Sequence, residues 1–286
     1  MKNKKNLKLG IVGYGFVGKA TDYGFSRDVE KYIVDPLIGT NIQGLKSFGP
    51  EIVFVSVPTP MSKDGSQDST IIKKAIKELT FSCPDSIKVV KSTVLPSILQ
   101  ELAILDNKII YNPEFLREKH ANEDFKNSNM IILGGDRNIS EKVSKAYKKH
   151  SCCDNPEYIF TDLVTASFIK YSINTFLASK VMYFNELHQV FEKIDVNDNW
   201  ESVIDIISKD QRIGGSHMNV PGHDGKRGFG GACFPKDSAA FLKFAENNGI
   251  NLNVLKTVIK TNNEIRASYD YLDDREIEQN VFFEDK

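Results

Sequence analysis

The chain is poor in cysteine, has a single tryptophan, carries almost no net charge and contains no long hydrophobic run. Each shortage excludes something. The four cysteines are Cys83, Cys152, Cys153 and Cys233, of which two are adjacent and none stands at metal-ligand spacing. That argues against a disulfide scaffold or a metal site and for a reducing, cytoplasmic setting. The formal net charge of −1 gives no electrostatic basis for a nucleic-acid partner. No apolar run approaches the roughly 20 residues that a membrane span needs. The basic start, MKNKKNLKLGIVGYG, is broken by glycine too soon for a signal peptide and reads as a solvated tail entering a first strand. Repeats and low-complexity segments are missing too. What remains is an ordinary soluble composition, 41% hydrophobic over 286 residues, long enough for two domains.

The first half has the pattern of a dinucleotide fold. LKLGIV is a short apolar run, and GYGFVG follows it at once. Gly13, Gly15 and Gly18 then have G-x-G-x-x-G spacing at the mouth of a potential helix, with Phe16 and Val17 inside the loop. The glycines allow a tight turn, close approach of a pyrophosphate and close helix–strand packing. A second run, KYIVD, ends in Asp35 at the expected distance of about 20 residues, where a carboxylate takes ribose hydroxyls and repels a 2′-phosphate. NAD is therefore expected over NADP.

Further β-branched runs follow in EIVFVSV, IKVVKST, KIIYNPE and NMIILGG, with the helical spacing of DSTIIKKAIKELTF between two of them. Continuous apolar strands suit a parallel sheet covered on both faces, so the expected class is α/β, an open doubly wound Rossmann-type sheet. Ligands of such sheets bind beyond the carboxyl ends of the strands. Those ends carry Pro58 and Thr59, then Lys91-Ser92-Thr93, then Asn112 to Glu118. The expected boundaries are 1–155 for this domain and 156–286 for a mostly helical second one.

Thr161 to Ile194 lacks proline and glycine and reads as one long helix, capped by Thr161 or Asp162. Leu163, Ala166, Ile173, Leu177, Val181 and Phe184 form an apolar stripe, and Lys170 and Asn174 fall on it four residues apart. Either the lysine snorkels to water while the amide bonds backbone, or both point into a cleft. In GFGGACFPKD, Pro235 starts another helix, so Cys233 stands at a helix N-terminus with Lys236 and Asp237 beside it. Both the helix end and the lysine favour thiolate. A nicotinamide cofactor with a nucleophilic thiol points to oxidation beyond the aldehyde, through a thiohemiacetal and a thioester to an acid.

VPTP with DGSQD, KSTV, NPEFLRE, FIKYSINTFLASKVMYFNEL, DQRIG and GFGGACFPKD, in that order, resemble the UDP-glucose/GDP-mannose dehydrogenase family over most of the chain. The resemblance implies that Cys233 is the nucleophile, that Asp237 assists it, and that Lys170 and Asn174 hold the oxyanion and a water. It implies Thr93 and Glu118 at the water or cofactor, and Glu114, Phe115 and Leu116 at the sugar. Arg212 would reach across a homodimer, the long helix supplying the dimer surface. Expected cofactor contacts are Gly13, Gly15, Phe16, Val17, Gly18, Asp35, Pro58, Thr59, Thr93, Glu118 and Lys236. Phe229 and Gly230 join the substrate contacts. The implied reaction is NAD-dependent oxidation of a nucleotide sugar, with UDP-glucose as the expected substrate.

Three departures stand out. The family's third domain, which grips the base, is absent from the reading, and the sequence closes in an acidic tail. Lys119 follows NPEFLRE where glycine is common. The loop from Gly214 to Arg227 is long and basic, and Lys226 and Arg227 are expected either to cradle the diphosphate or to lie on a solvated surface. Two rival readings stay open: a non-catalytic NAD or nucleotide-sugar binding module, and a β-hydroxyacid type dehydrogenase that makes one hydride transfer and needs no cysteine.

Overall fold

The computed structural model describes residues 6–283, so the basic start expected as a solvated tail lies mostly outside the described residues. Two compact units emerge. The first holds the chain to Thr59 and Asp68–Lys170, and the second holds Pro60–Gln67 and the chain from Tyr171.

In the first unit, β1 (Leu7–Val12), α1 (Phe16–Gly24), β2 (Val29–Val34), α2 (Ile42–Phe48) and β3 (Ile52–Val55) build the start of an α/β sheet. They are followed by α3 (Thr70–Ser82), β4 (Ile87–Val90), α4 (Pro96–Leu105) and β5 (Ile109–Tyr111). The unit continues through α5 (Ala121–Lys126), β6 (Met130–Gly135), α6 (Arg137–His150), β7 (Glu157–Thr161) and the start of α7 (Leu163–Phe191). The seven strands lie in the order β2-β1-β3-β4-β5-β6-β7. The order reverses between β1 and β3, which is where such sheets bind ligands.

Two features differ from the sequence reading. The sheet is not wholly parallel: β6 runs antiparallel to β5, pairing Ile110 with Gly135 and Tyr111 with Gly134. The connection between them contains only a six-residue helix and a 3-10 turn, and an antiparallel neighbour needs no helical crossover. A seventh strand, β7, pairs with β6 from Glu157 to Thr161, so the sheet runs past residue 155 and the long helix starts after Thr161. Asp162 is its cap, accepting from the Thr165 amide at 2.9 Å and the Thr165 hydroxyl at 2.6 Å.

The core beneath the sheet is aromatic. Phe25 meets Phe54 at 5.0 Å and Tyr147 at 4.7 Å between ring centroids, with Phe125 alongside. A Cβ on Gly24 would overlap the Phe125 ring, so α1 comes this close to α5 only because residue 24 is glycine.

The second unit is helical: the rest of α7, α8 (Trp200–Ser208), α9 (Phe234–Asn247), α10 (Asn253–Arg266) and α11 (Asp274–Glu278). One cluster gathers Phe184, Trp200, Ile204, Met218 and Val220, and another Ala178, Met182 and Phe229. Along α7 the buried positions are Ala166, Ser167, Lys170, Tyr171, Asn174, Ala178, Lys180, Met182, Phe184 and Asn185; of the expected apolar stripe Ala166 and Phe184 are buried, whereas Leu163, Ile173, Leu177 and Val181 are only half-buried. The buried stripe is thus more polar than the apolar spacing predicted.

Candidate functional site

The first unit contains a dinucleotide cradle. Gly13 has φ +89°, which glycine alone adopts without strain. The Ser56 hydroxyl donates to its carbonyl at 2.9 Å, joining the ends of β1 and β3. A Cβ on Gly18 would overlap that same carbonyl oxygen, while the space beside Gly15 is open. No side chain caps the start of α1, whose positive dipole end suits a phosphate. Asp35 closes β2 with both carboxylate oxygens engaged by backbone, taking the Tyr14 amide at 2.7 Å and the Leu37 amide at 2.9 Å. A carboxylate has about four acceptor positions, so it retains capacity for ribose hydroxyls. These residues fit a dinucleotide. Tyr14 is held in turn by its phenol, which donates to Asp22 at 2.6 Å. That bond, with burial and the Asp22 charge, pushes its pKa up to about 12.

The carboxyl ends of β3 and β4 are tied together. Thr59 donates to the Thr93 carbonyl at 3.1 Å, and Ser92 to the Val57 carbonyl at 2.7 Å. Thr59 and Thr93 are buried and Pro58 is exposed. Glu118 is exposed on the 3-10 turn Glu118–His120.

After β5 the chain forms a braced loop. The Lys170 ammonium donates to the Glu114 carbonyl at 2.6 Å and lies 3.3 Å from its carboxylate. The carboxylate accepts the Leu116 amide at 2.6 Å, and the Phe115 ring lies 5.0 Å from the same ammonium. Lys170 therefore does not snorkel; it is buried and bonded. Behind the loop is a second buried lysine, Lys91 of KSTV. Lys91 donates to Asn112 Oδ1 at 3.0 Å, the Tyr147 phenol donates to that oxygen at 2.6 Å, and Asn112 Nδ2 donates to the Ile132 carbonyl at 2.9 Å. A cavity of about 30 Å³, room for one water, adjoins this group and Cys153. Burial lowers the Lys91 pKa to about 8. A larger concavity of about 640 Å³ opens at the amino ends of the strands, beside Leu7, Ile52 and Ile87. It lies at the opposite sheet edge from the glycine loop.

The second unit holds the thiol. Cys233 is the N-cap residue of α9, Pro235 stands in the first turn as expected, and Cys233 is half-buried. One turn on, the Asp237 carboxylate is fully buried and doubly held. Asn174 Nδ2 donates to one oxygen at 2.8 Å and the Lys236 ammonium to the other at 2.6 Å. Asn174 thus bonds a side chain rather than backbone, and Lys236 spends its charge on Asp237. Lys180 on α7 donates to the Ile213 and Gly214 carbonyls at 3.0 and 2.9 Å, fixing the turn that presents Arg212. Arg212 itself is exposed and paired with its neighbour Asp210 at 2.6 Å.

Phe229 is buried and Gly230 half-buried in the loop before Cys233. Lys226 and Arg227 are turned inward. Lys226 donates to the Tyr271 carbonyl at 2.7 Å with its ammonium 3.9 Å from the Tyr271 ring, and Arg227 Nη2 donates to the Asn185 carbonyl at 3.3 Å. A buried cation demands such partners. Both cations of the pair are thus engaged by groups of the protein itself.

Comparison with known proteins gives the same architecture. The model of the UDP-glucose/GDP-mannose dehydrogenase family NAD binding domain matches residues 29–151, and that of the family's central domain matches residues 164–264. A UDP-glucose 6-dehydrogenase of Rickettsia felis is 36% identical over 232 residues, which is 79% of this chain and 50% of the relative. The chain spans about half the length of the curated relatives it matches. Among solved structures, a UDP-glucose dehydrogenase from Pyrobaculum islandicum superposes with a TM-score of 0.75 at 26% identity, covering 92% of this chain and 69% of that one. A 3-hydroxyisobutyrate dehydrogenase from Mycobacterium tuberculosis shares the fold, with a TM-score of 0.70 at 14% identity and 97% of each chain covered. No helix among the described residues is long and apolar enough to cross a membrane.

Proposed function

The chain belongs to the UDP-glucose/GDP-mannose dehydrogenase family, and we propose that it oxidises the primary alcohol of a nucleotide sugar, UDP-glucose, to the carboxylate with NAD. The observation that carries this reading is Cys233 at the head of α9 with the Asn174–Asp237–Lys236 group one turn away. A one-step alcohol dehydrogenase has no use for a thiol in that setting.

NAD, when bound, supplies the hydride acceptor. Gly13, Gly15, Gly18 and the start of α1 would hold its pyrophosphate, and Asp35 its ribose. The protein's own residues do the rest. The primary alcohol first gives up a hydride and its hydroxyl proton to become the aldehyde; the Cys233 thiolate then adds to the aldehyde carbon, and the carbonyl oxygen becomes an alkoxide. Lys170 and Asn174 are the donors proposed for that oxyanion. Loss of a second hydride from the same carbon leaves a thioester. Water then adds to the thioester carbon, one proton passes to a nearby base, and the thiolate leaves as the acid forms. Asp237 serves by holding Asn174 and Lys236, and as the nearest carboxylate to the thiol in sequence it is the base proposed for the water. Thr93 and Glu118 are proposed at the water or cofactor, and Glu114, Phe115 and Leu116 at the sugar.

We also infer a homodimer. Phe168, Phe176, Tyr183 and Val190 are exposed along α7 at seven- or eight-residue intervals, which makes one apolar face, and Arg212 is exposed to reach a neighbour.

The test is stoichiometry. Two NADH per UDP-glucose consumed supports the acid-forming route, one supports a single hydride transfer, and none with intact NAD binding supports a binding module. Cys233→Ser should stop acid formation while NAD affinity stays within about twofold, since a serine hydroxyl is far less ionised near neutral pH. Undiminished acid formation by that variant would remove Cys233 as the nucleophile.

A further inference from the structure

We propose that the segment Tyr269–Phe283 is a clamp that positions Cys233, with Glu276 as its positioning residue; this rests on the reading of Cys233 as the nucleophile. The sequence reads as an acidic tail from Asp273 on, but the segment is folded into the second unit, and the Glu276 carboxylate is fully buried.

Glu276 is bonded on every side. Its Oε1 accepts the Gly231 amide at 3.0 Å and Arg266 Nη2 at 2.7 Å. Its Oε2 accepts the Asp273 amide at 2.9 Å, while Asp273 accepts the Glu276 amide at 2.8 Å, a reciprocal cap on α11. Arg266, almost wholly buried, uses its other nitrogen on Asp224 at 2.7 Å. A Cβ on Gly230 would overlap both the guanidinium and the Glu276 carboxylate. The glycine run therefore has a second purpose: it lets a buried ion pair lie flat against the backbone of Gly230, three residues before the thiol.

The rest of the loop is fixed in the same way. The Arg227 amide donates to the Tyr269 phenol at 2.9 Å, and Lys226 to the Tyr271 carbonyl at 2.7 Å. The Gly228 amide donates to Asn185 Oδ1 at 2.9 Å. Asn262 takes the Phe229 amide at 2.6 Å and returns a bond to its carbonyl at 3.0 Å. Beyond α11, Val281 and Phe283 pack with Met61 and with Ala239 of α9, and the Met61 amide donates to the Gln279 carbonyl at 2.9 Å. The segment thus grips the chain on both sides of Cys233, the loop before it and the helix after it. A buried ion pair adds little net stability over an apolar substitute, but it fixes one geometry because any other leaves a charge unpaired. A nucleophile that must meet one carbon needs that constraint.

The experiment compares wild type with Glu276→Ala and Glu276→Gln. It reads kcat and KM for UDP-glucose, the dissociation constant of NAD, the circular dichroism of the fold, and the rate at which iodoacetamide alkylates Cys233, followed by mass spectrometry. In the folded Glu276→Ala protein kcat is expected to fall about 10- to 100-fold with KM and NAD affinity within about threefold, the pattern of a misplaced reacting group. The alkylation rate of Cys233 should change in parallel, and Glu276→Gln, which keeps one acceptor, should fall between. Wild-type kcat and alkylation rate in either folded variant overturn the clamp. Failure of both variants to fold also overturns it, since Glu276 would then hold the fold rather than place the thiol. If wild type itself turns over no nucleotide sugar, the functional reading falls, while the alkylation ratio still decides the clamp.

Discussion

The Asn174 side-chain amide donates to the buried Asp237 carboxylate at 2.8 Å, joining α7 to the first turn of α9 beside Cys233. The other Asp237 oxygen neutralises Lys236, whose side chain is 9% exposed. Removing the two partners should therefore have unequal effects. Asp237→Ala strands a buried ammonium and is expected to cost about 3–5 kcal/mol. Asn174→Ala leaves the ion pair in place and is expected to cost about 1–3 kcal/mol. Urea denaturation of both variants checks the order; a larger loss for Asn174→Ala would mean that Lys236 finds another partner.

The glycine loop makes a separate prediction for the cofactor. Gly18→Ala forces a methyl against the Gly13 carbonyl, so NAD affinity should drop at least tenfold, about 1.4 kcal/mol or more, while the helical second unit keeps its spectrum. Asp35 should make kcat/KM far higher for NAD than for NADP, and Asp35→Ala should narrow the ratio by weakening NAD more than NADP. Initial rates with each cofactor measure the kcat/KM ratio, and isothermal titration measures the change in affinity.

Lys91 predicts a pH dependence of stability. Its pKa falls from 10.5 to about 8 on folding, with burial as the main cause and the Glu114 charge opposing it. Below pH 8 the lysine is protonated whether folded or unfolded, so its contribution is flat. Between about 8 and 10.5 the unfolded chain binds the extra proton, so stability rises with pH relative to a variant without the group. The difference in unfolding free energy between wild type and Lys91→Met should thus shift in favour of wild type across that window. Burial holds the neighbouring Tyr147 and Cys153 above their ordinary values, and because the Lys91 charge pulls the Cys153 thiol down, the comparison is made in a Cys153→Ser background. A flat difference would mean that water reaches the Lys91 ammonium.

Arg212 carries the prediction for assembly. If it acts on a neighbouring subunit, an Arg212→Ala chain mixed with a Cys233→Ser chain should regain up to about a quarter of wild-type activity, since only mixed dimers bring an intact arginine to an intact thiol. Each variant alone should be nearly inactive. Full wild-type activity at dilutions where sedimentation shows monomer would remove the shared site.

Much of the site could be read in the sequence because its signals are local. Gly13, Gly15 and Gly18 are required by one turn, Asp35 by the end of one strand, and Lys170 and Asn174 by the pitch of one helix. Pro235 marks the start of α9 and so places Cys233 at its cap. These patterns hold wherever the chain goes next, because backbone geometry over a few residues sets them.

What the sequence could not supply depends on partners far apart along the chain. Nothing in MIILGG says that it pairs antiparallel to β5, since direction is a property of the connection and its neighbours. Lys226 and Arg227 look like a basic loop until the Tyr271 and Asn185 carbonyls take their hydrogen bonds. Glu276 looks like one acid among several in a tail; it becomes a buried anchor only when Arg266, ten residues earlier, and Gly231, on another loop, meet it. Short-range geometry is written in residue spacing, so the sequence by itself determined the cofactor turn, the long helix and the capped thiol. The neutralisation of buried charge needs a specific opposite group in space, so only the tertiary structure decided which cations and carboxylates pair with one another.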